Sequence, residues 1–118
     1  MKYALLIHLP AGTAGKITET EERDIQDVCH ALTEDVRAQG KYLGSVRLAP
    51  EERAVTLARR AGKHVVVDGP FAETKEFLAG LYLVECDTVE EALEYARRHP
   101  GASNGTIEVR PLVSMDLA

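Results

Sequence analysis

The β-branched run Val65-Val66-Val67 stops at Asp68-Gly69-Pro70, and this break limits the possible folds more than any other feature of the chain. Asp68 can bond its own downstream backbone, Gly69 can take a positive φ, and Pro70 fixes its own φ and withholds a donor. A strand reaching this point must leave its sheet. Phe71, one of two phenylalanines, is expected to pin the turn to an apolar surface. Glu73, Lys75 and Glu76 read most simply as a solvated segment in which Lys75 can also bind an anion.

Residues 3–9 are apolar on both alternating faces, which predicts a central strand covered on both sides. His8 interrupts the Ala4/Leu6 face. A loop over residues 10–15 leads to Thr18 and Glu21, spaced as a capping box. Ile25, Val28, Cys29, Leu32 and Val36 then recur at helical spacing, and Gly40 ends that helix. Residues 41–48 read as a second strand. Residues 53–59 and 64–67 suggest a hairpin around Ala61-Gly62-Lys63. Residues 78–86 form another strand, with Gly80 marking a bulge or a close backbone approach. Asp87 or Thr88 caps a second helix running to about His99, with a stripe of Val89, Ala92, Leu93 and Ala96. Pro100-Gly101 stops it. Residues 106–113 alternate as a last strand: Ile107, Val109 and Pro111 face one way, Thr106, Glu108 and Arg110 the other.

Strand–helix–strand, an inserted hairpin, then strand–helix–strand is the split βαβ order of an α+β, ferredoxin-like fold. Both helices belong on one face of an antiparallel sheet. The other face is left apolar and bare. A single domain of 118 residues cannot supply a further layer, so a second copy is the natural cover, as a homodimer.

The net charge of −5 and the absence of a basic stripe with interleaved aromatics argue against nucleic acid. Apolar runs are too short for a membrane span, and the start lacks the pattern of a signal peptide. Cys29 and Cys86 lie in apolar patterns without metal spacing. Two reduced, buried thiols in a cytoplasmic protein are expected.

Asp68-Gly69-Pro70-Phe71-Ala72-Glu73-Thr74-Lys75-Glu76 resembles the signature of the DGPF (YCII-related) family. Similar words are the Met1-Lys2-Tyr3 start, Gly80-Leu81-Tyr82-Leu83, Glu90-Glu91-Ala92-Leu93-Glu94-Tyr95-Ala96, His99-Pro100-Gly101-Ala102 and Gly105-Thr106-Ile107-Glu108-Val109-Arg110-Pro111. The resemblance implies a ferredoxin-like fold pairing into a dimeric α/β barrel. It also implies a histidine on the first helix facing an Asp-Pro just after the second, as an acid–base pair. His30 can match that histidine, but His99-Pro100 stands where the Asp-Pro would be. Relatives encoded beside alternative sigma factors imply a sigma factor as a possible partner.

Candidate catalytic residues are His8, His30 and Asp68; candidate ligand-binding residues are Phe71, Lys75, Tyr82 and Arg110. His8 either projects from the bare sheet face into a dimer cavity or sits in the core. His30 lies off the helix stripe, exposed or at the rim of a cleft. Asp68 suits a turn before Gly-Pro as well as it suits a base. Tyr82 can pack or offer a hydroxyl. Arg110 can fork onto a carboxylate or form a salt link. No nucleotide loop, triad or metal motif is present. The enzyme reading is cofactor-free proton transfer on a small polar or aromatic acid. The other readings are a ligand-binding or regulatory module and an auxiliary dimer without chemistry.

Overall fold

A computed structural model describes residues 1–72 and 74–117; the expectation for Glu73 lies outside the described residues. The chain runs β1 (Lys2–Pro10), α1 (Glu19–Ala38), β2 (Tyr42–Arg47), β3 (Val55–Arg60), β4 (Lys63–Asp68), β5 (Glu76–Glu85), α2 (Val89–Arg98) and β6 (Thr106–Pro111). Four strands form an antiparallel sheet in the order β2-β5-β1-β6, while β3 and β4 pair separately. Two helices with antiparallel sheets in this order are compatible with a ferredoxin-like fold.

The cap of α1 forms as its spacing predicts. Thr18 Oγ1 accepts the Glu21 N–H at 3.1 Å, and Glu21 Oε1 accepts the Thr18 N–H at 3.4 Å. At the other end the Gly40 N–H donates to Arg37 and the Lys41 N–H to Val36, closing the last turn. Leu32 and Val36 are buried, Ile25 and Cys29 half-buried, and Val28 is exposed, so the stripe is narrower than its spacing suggests.

In α2 the inward face is Ala92, Tyr95 and Ala96; Val89 and Leu93 are exposed. The physical reason is the fit at Tyr95. Its hydroxyl donates to Gln39 Oε1 at 2.9 Å, so the ring turns inward without stranding a polar atom. Two alanines beside it let the helix close on the sheet.

Tyr3, Leu5 and Ile7 of β1 and Tyr82 and Val84 of β5 meet both helices on one sheet face. Each fully buried aliphatic side chain there contributes about 1.5–3 kcal/mol. Register places Ala4, Leu6 and His8 with Leu83, Leu81 and Leu78 on the other face, beside Arg110, Glu108 and Thr106. That face carries no helix. Both readings of Gly80 hold. The register slips beside it, leaving Ala79 as the extra residue of β5. A Cβ on Gly80 would also lie 2.5 Å from the Val46 carbonyl oxygen of β2.

The hairpin turns at Ala61-Gly62, and Lys63 belongs to β4. Beyond it, Gly69 has φ 98°. Its N–H donates to the Ala54 carbonyl at 2.6 Å, and its carbonyl accepts the Thr56 hydroxyl at 2.7 Å. These bonds hold the turn. Phe71 is 86% exposed and does not pin the turn to the chain's own core, a correction to the sequence expectation. An anchor is unnecessary where backbone bonds already fix the bend.

Candidate functional site

A cleft of about 360 Å³ opens beside α1 on the helix-bearing face of the sheet. It gathers Glu22 and Cys29 from α1, Arg47 from β2, Tyr82 from β5 and His99 from the end of α2. Glu22 and Cys29 are seven residues apart, which is two turns or about 10 Å along one helix face.

His99 is held by the way its helix ends. It caps the short 3-10 turn Pro100–Ala102, and its Nδ1 accepts the Gly101 N–H at 2.9 Å. A neutral imidazole has one donor and one acceptor nitrogen. With Nδ1 accepting, the hydrogen-bond pattern assigns the proton to Nε2. Nε2 lies 3.6 Å from Cys29 Sγ and points its N–H toward the thiol. The Tyr82 ring meets the imidazole edge to face, with centroids 5.6 Å apart. The Tyr82 hydroxyl donates to the Cys29 carbonyl at 3.3 Å and pairs with Thr33 Oγ1 at 2.6 Å.

Electrostatics sort these groups. Burial pushes the His99 pKa down, because imidazolium loses hydration there. Burial pushes the Cys29 thiol up, with Arg47 opposing it. The Tyr82 phenol is raised, again mainly by burial. Glu22 is held below the usual carboxylate range by its hydrogen bond to Arg47, and Arg47 is raised by the same bond. At neutral pH the cleft therefore offers a neutral imidazole N–H, a protonated thiol and phenol, one carboxylate and one guanidinium. Such a set can receive a small acid. A carbonyl oxygen fits the His99 N–H, and an anionic group fits Arg47.

A second, wider cleft of about 940 Å³ lies on the bare sheet face, between the sheet and residues 48–56, 70–72 and 74–75. It brings His8, Phe71 and Lys75 together with Arg53 and Phe77. Among the described residues neither the His8 ring nor the Lys75 amine makes a hydrogen bond.

The seven candidates of the sequence thus divide. His8, Phe71 and Lys75 share one cleft and Tyr82 lies in the other. His30 is exposed on α1, and the residue that meets His99 is its neighbour Cys29. Asp68 is exposed at the end of β4. Arg110 is tied to Glu108 Oε2 on its own strand, at 2.9 Å from Nε and 2.5 Å from Nη2.

Sequence reasoning missed Cys29 and His99 as a pair, and Glu22 and Arg47 altogether. Cys29 had a signal: it sits on the buried stripe while His30 is a further 100° around the helix. His99 had one too, as a histidine standing at a helix stop before proline. Glu22 and Arg47 had none, since only the packing of α1 beside β2 joins them. Among the described residues no group of three or more metal-binding side chains assembles, and no helix is long and apolar enough to cross a membrane.

Comparison with known proteins agrees over the whole length. The family model described as the YCII-related domain matches residues 1–116. An uncharacterised protein of Rhizobium meliloti (strain 1021) is 43% identical over 115 residues, covering 95% of this chain and 92% of its own length. With its signature turn, its strand order and this match, the chain belongs to the YCII-related family.

Proposed function

We propose that this protein binds a small polar or aromatic acid in the helix-side cleft and moves a proton on it without a cofactor. The observation that carries this reading is the fixed imidazole. His99 is oriented by Gly101, kept neutral by burial, and aims Nε2–H at Cys29 and the cleft. In this role His99 does not take the first proton. It donates to a substrate carbonyl oxygen and steadies the negative charge that grows there. Glu22, the cleft's carboxylate, takes the proton next to that carbonyl, and Arg47 shifts from Glu22 toward the substrate's acid group as it enters. Isomerisation and elimination both begin with this step.

In the same reading the chain is a homodimer. Leu6, Leu81, Leu83 and Val46 of the bare sheet face meet their counterparts, and His8, Phe71 and Lys75 lie at the edge of the resulting chamber. Apolar sheet faces of this kind are ordinarily covered in solution.

A hydrogen-exchange assay tests the reading without knowledge of the full reaction. The protein is incubated in heavy water with a panel of small keto and aromatic acids, and loss of carbon-bound proton signals is followed by NMR. Exchange by wild type that disappears in Glu22→Gln and His99→Ala supports proton transfer. Binding without exchange replaces it with the ligand-binding module. Neither binding nor exchange across the panel overturns both. A regulatory module acting on another protein, such as a sigma factor, is favoured by one observation: exposed Val55, Leu57 and Val66 lie beyond the bare sheet face.

A further inference from the structure

The β3–β4 hairpin is not hydrogen-bonded into the four-stranded sheet. A lone two-stranded ribbon is at best marginally stable in water, so something must cover it. Its inward face carries Thr56 and Ala58, both half-buried, and Thr56 is bonded to the Gly69 carbonyl. Its outward face pairs Leu57 with Val66 and Val55 with Asp68. On that face Val55, Leu57 and Val66 are 65%, 64% and 66% exposed. Three large apolar side chains so placed form a patch rather than scattered surface residues.

The dimensions of the molecule indicate how much cover is needed. Its accessible surface is 8188 Å², whereas a compact monomer of this mass exposes about 6,300 Å². Its radius of gyration is 16.0 Å, against about 13.5 Å for a compact chain of this length. The excess of roughly 1,900 Å² falls within what each partner buries in an obligate dimer. The bare sheet face is too small to account for it. Four strands about 4.8 Å apart, six to ten residues long, present a footprint of only about 500 Å².

Charge identifies the partner. Arg59, Arg60 and Lys63 cluster at the arm's tip, and removing those three positive charges from the chain's −5 leaves −8 on the rest. A second copy, net acidic outside its own arm tip, offers the opposite charge.

We propose that the β3–β4 arm is a clasp that lies along a second copy of this chain. The outward patch of Val55, Leu57 and Val66 rests on the partner, and the basic tip lies against its acidic surface. Phe71, exposed at the arm's base, is covered by the same contact, which closes the wide cleft holding His8 and Lys75. This inference rests on the homodimer reading above and adds the element that locks it.

The test is the association state of the whole protein by analytical ultracentrifugation. Wild type is expected to be a dimer, and Leu57→Asp with Val66→Asp should raise its dissociation constant by about 100-fold or more, as for hot-spot residues. Arg59→Glu with Arg60→Glu should weaken the dimer and flatten its dependence on salt. A dimer that both arm variants leave unchanged but Val46→Asp weakens overturns the clasp and keeps the dimer. A wild-type monomer overturns both, including a monomer whose arm binds a different protein. If the aspartate variants fail to fold, Leu57→Trp serves instead, since the chain has no tryptophan. A blue shift of its emission with rising protein concentration supports the clasp, and unshifted, water-like emission at every concentration overturns it.

Discussion

Cys29 Sγ lies 3.6 Å from Nε2 of His99, joining the first helix to the end of the second across 70 residues of sequence. The Gly101 N–H on the opposite ring nitrogen makes His99 the donor in this contact. A thiol–imidazole pair is commonly read as nucleophile and base. Here the turn after α2 prevents that, because the nitrogen facing the sulfur already carries the proton.

The pH dependence follows from burial. His99 has a folded pKa below its ordinary value of 6.5, so the unfolded chain binds more protons once the pH falls below that value. Its contribution to stability is therefore complete above about pH 6.5 and is lost as the pH drops toward the folded pKa. The Asp35–Arg98 and Glu22–Arg47 pairs lower their carboxyl pKa values, so their loss falls in the more acidic carboxylate range. NMR titration of the His99 ring checks this: as the pH falls it should protonate only below the ordinary value of 6.5. If His99 titrates at or above 6.5, the buried neutral donor is wrong.

Tyr82→Phe removes a hydroxyl bonded to Thr33 Oγ1 and the Cys29 carbonyl while keeping the ring between Tyr42 and His99. The expected cost is about 1–2 kcal/mol, since a half-buried Thr33 hydroxyl loses its partner. Urea unfolding measures it, with the denaturant slope unchanged. A neutral outcome would show that water replaces the lost bond.

The rotation of the helices can be read from two leucines. Leu32 is 3% exposed and Leu93 36%, although both stood on a predicted stripe. Leu32→Ala should cost about 3 kcal/mol through its cavity, and Leu93→Ala less than about 1 kcal/mol. Equal costs in thermal unfolding would mean that α2 presents a different face.

Ala61 has φ 50° in the two-residue hairpin turn, a region that costs a non-glycine residue about 1–2 kcal/mol and that asparagine tolerates better. Ala61→Asn creates the Asn-Gly pair that such a turn favours. A gain of about 1 kcal/mol, or roughly 4 °C in melting temperature, is expected by calorimetry. No gain would mean that the arm opens before the rest of the chain unfolds.

The sequence alone determined whatever rests on neighbours along the chain. Thr18 and Glu21 make their capping box, Gly40 ends its helix, and Asp68-Gly69-Pro70 turns the chain out of its strand. These depend on local backbone geometry, and so does the element order that implies the fold class. Tertiary structure decided which way each element rolls. Val89 and Leu93 match a helical period yet face outward, because Tyr95 found Gln39 and turned its own side of α2 inward; Val28 on α1 matches the period too, and packing leaves it outside the buried part of its stripe. It also decided the membership of the cleft. His30 and Cys29 are adjacent in sequence, but only packing against the end of α2 selects the cysteine. Glu22 and Arg47 carry no mutual signal until α1 lies beside β2. Spacing along a chain fixes which groups share a face, and only the register and rotation of packed elements fix which faces meet.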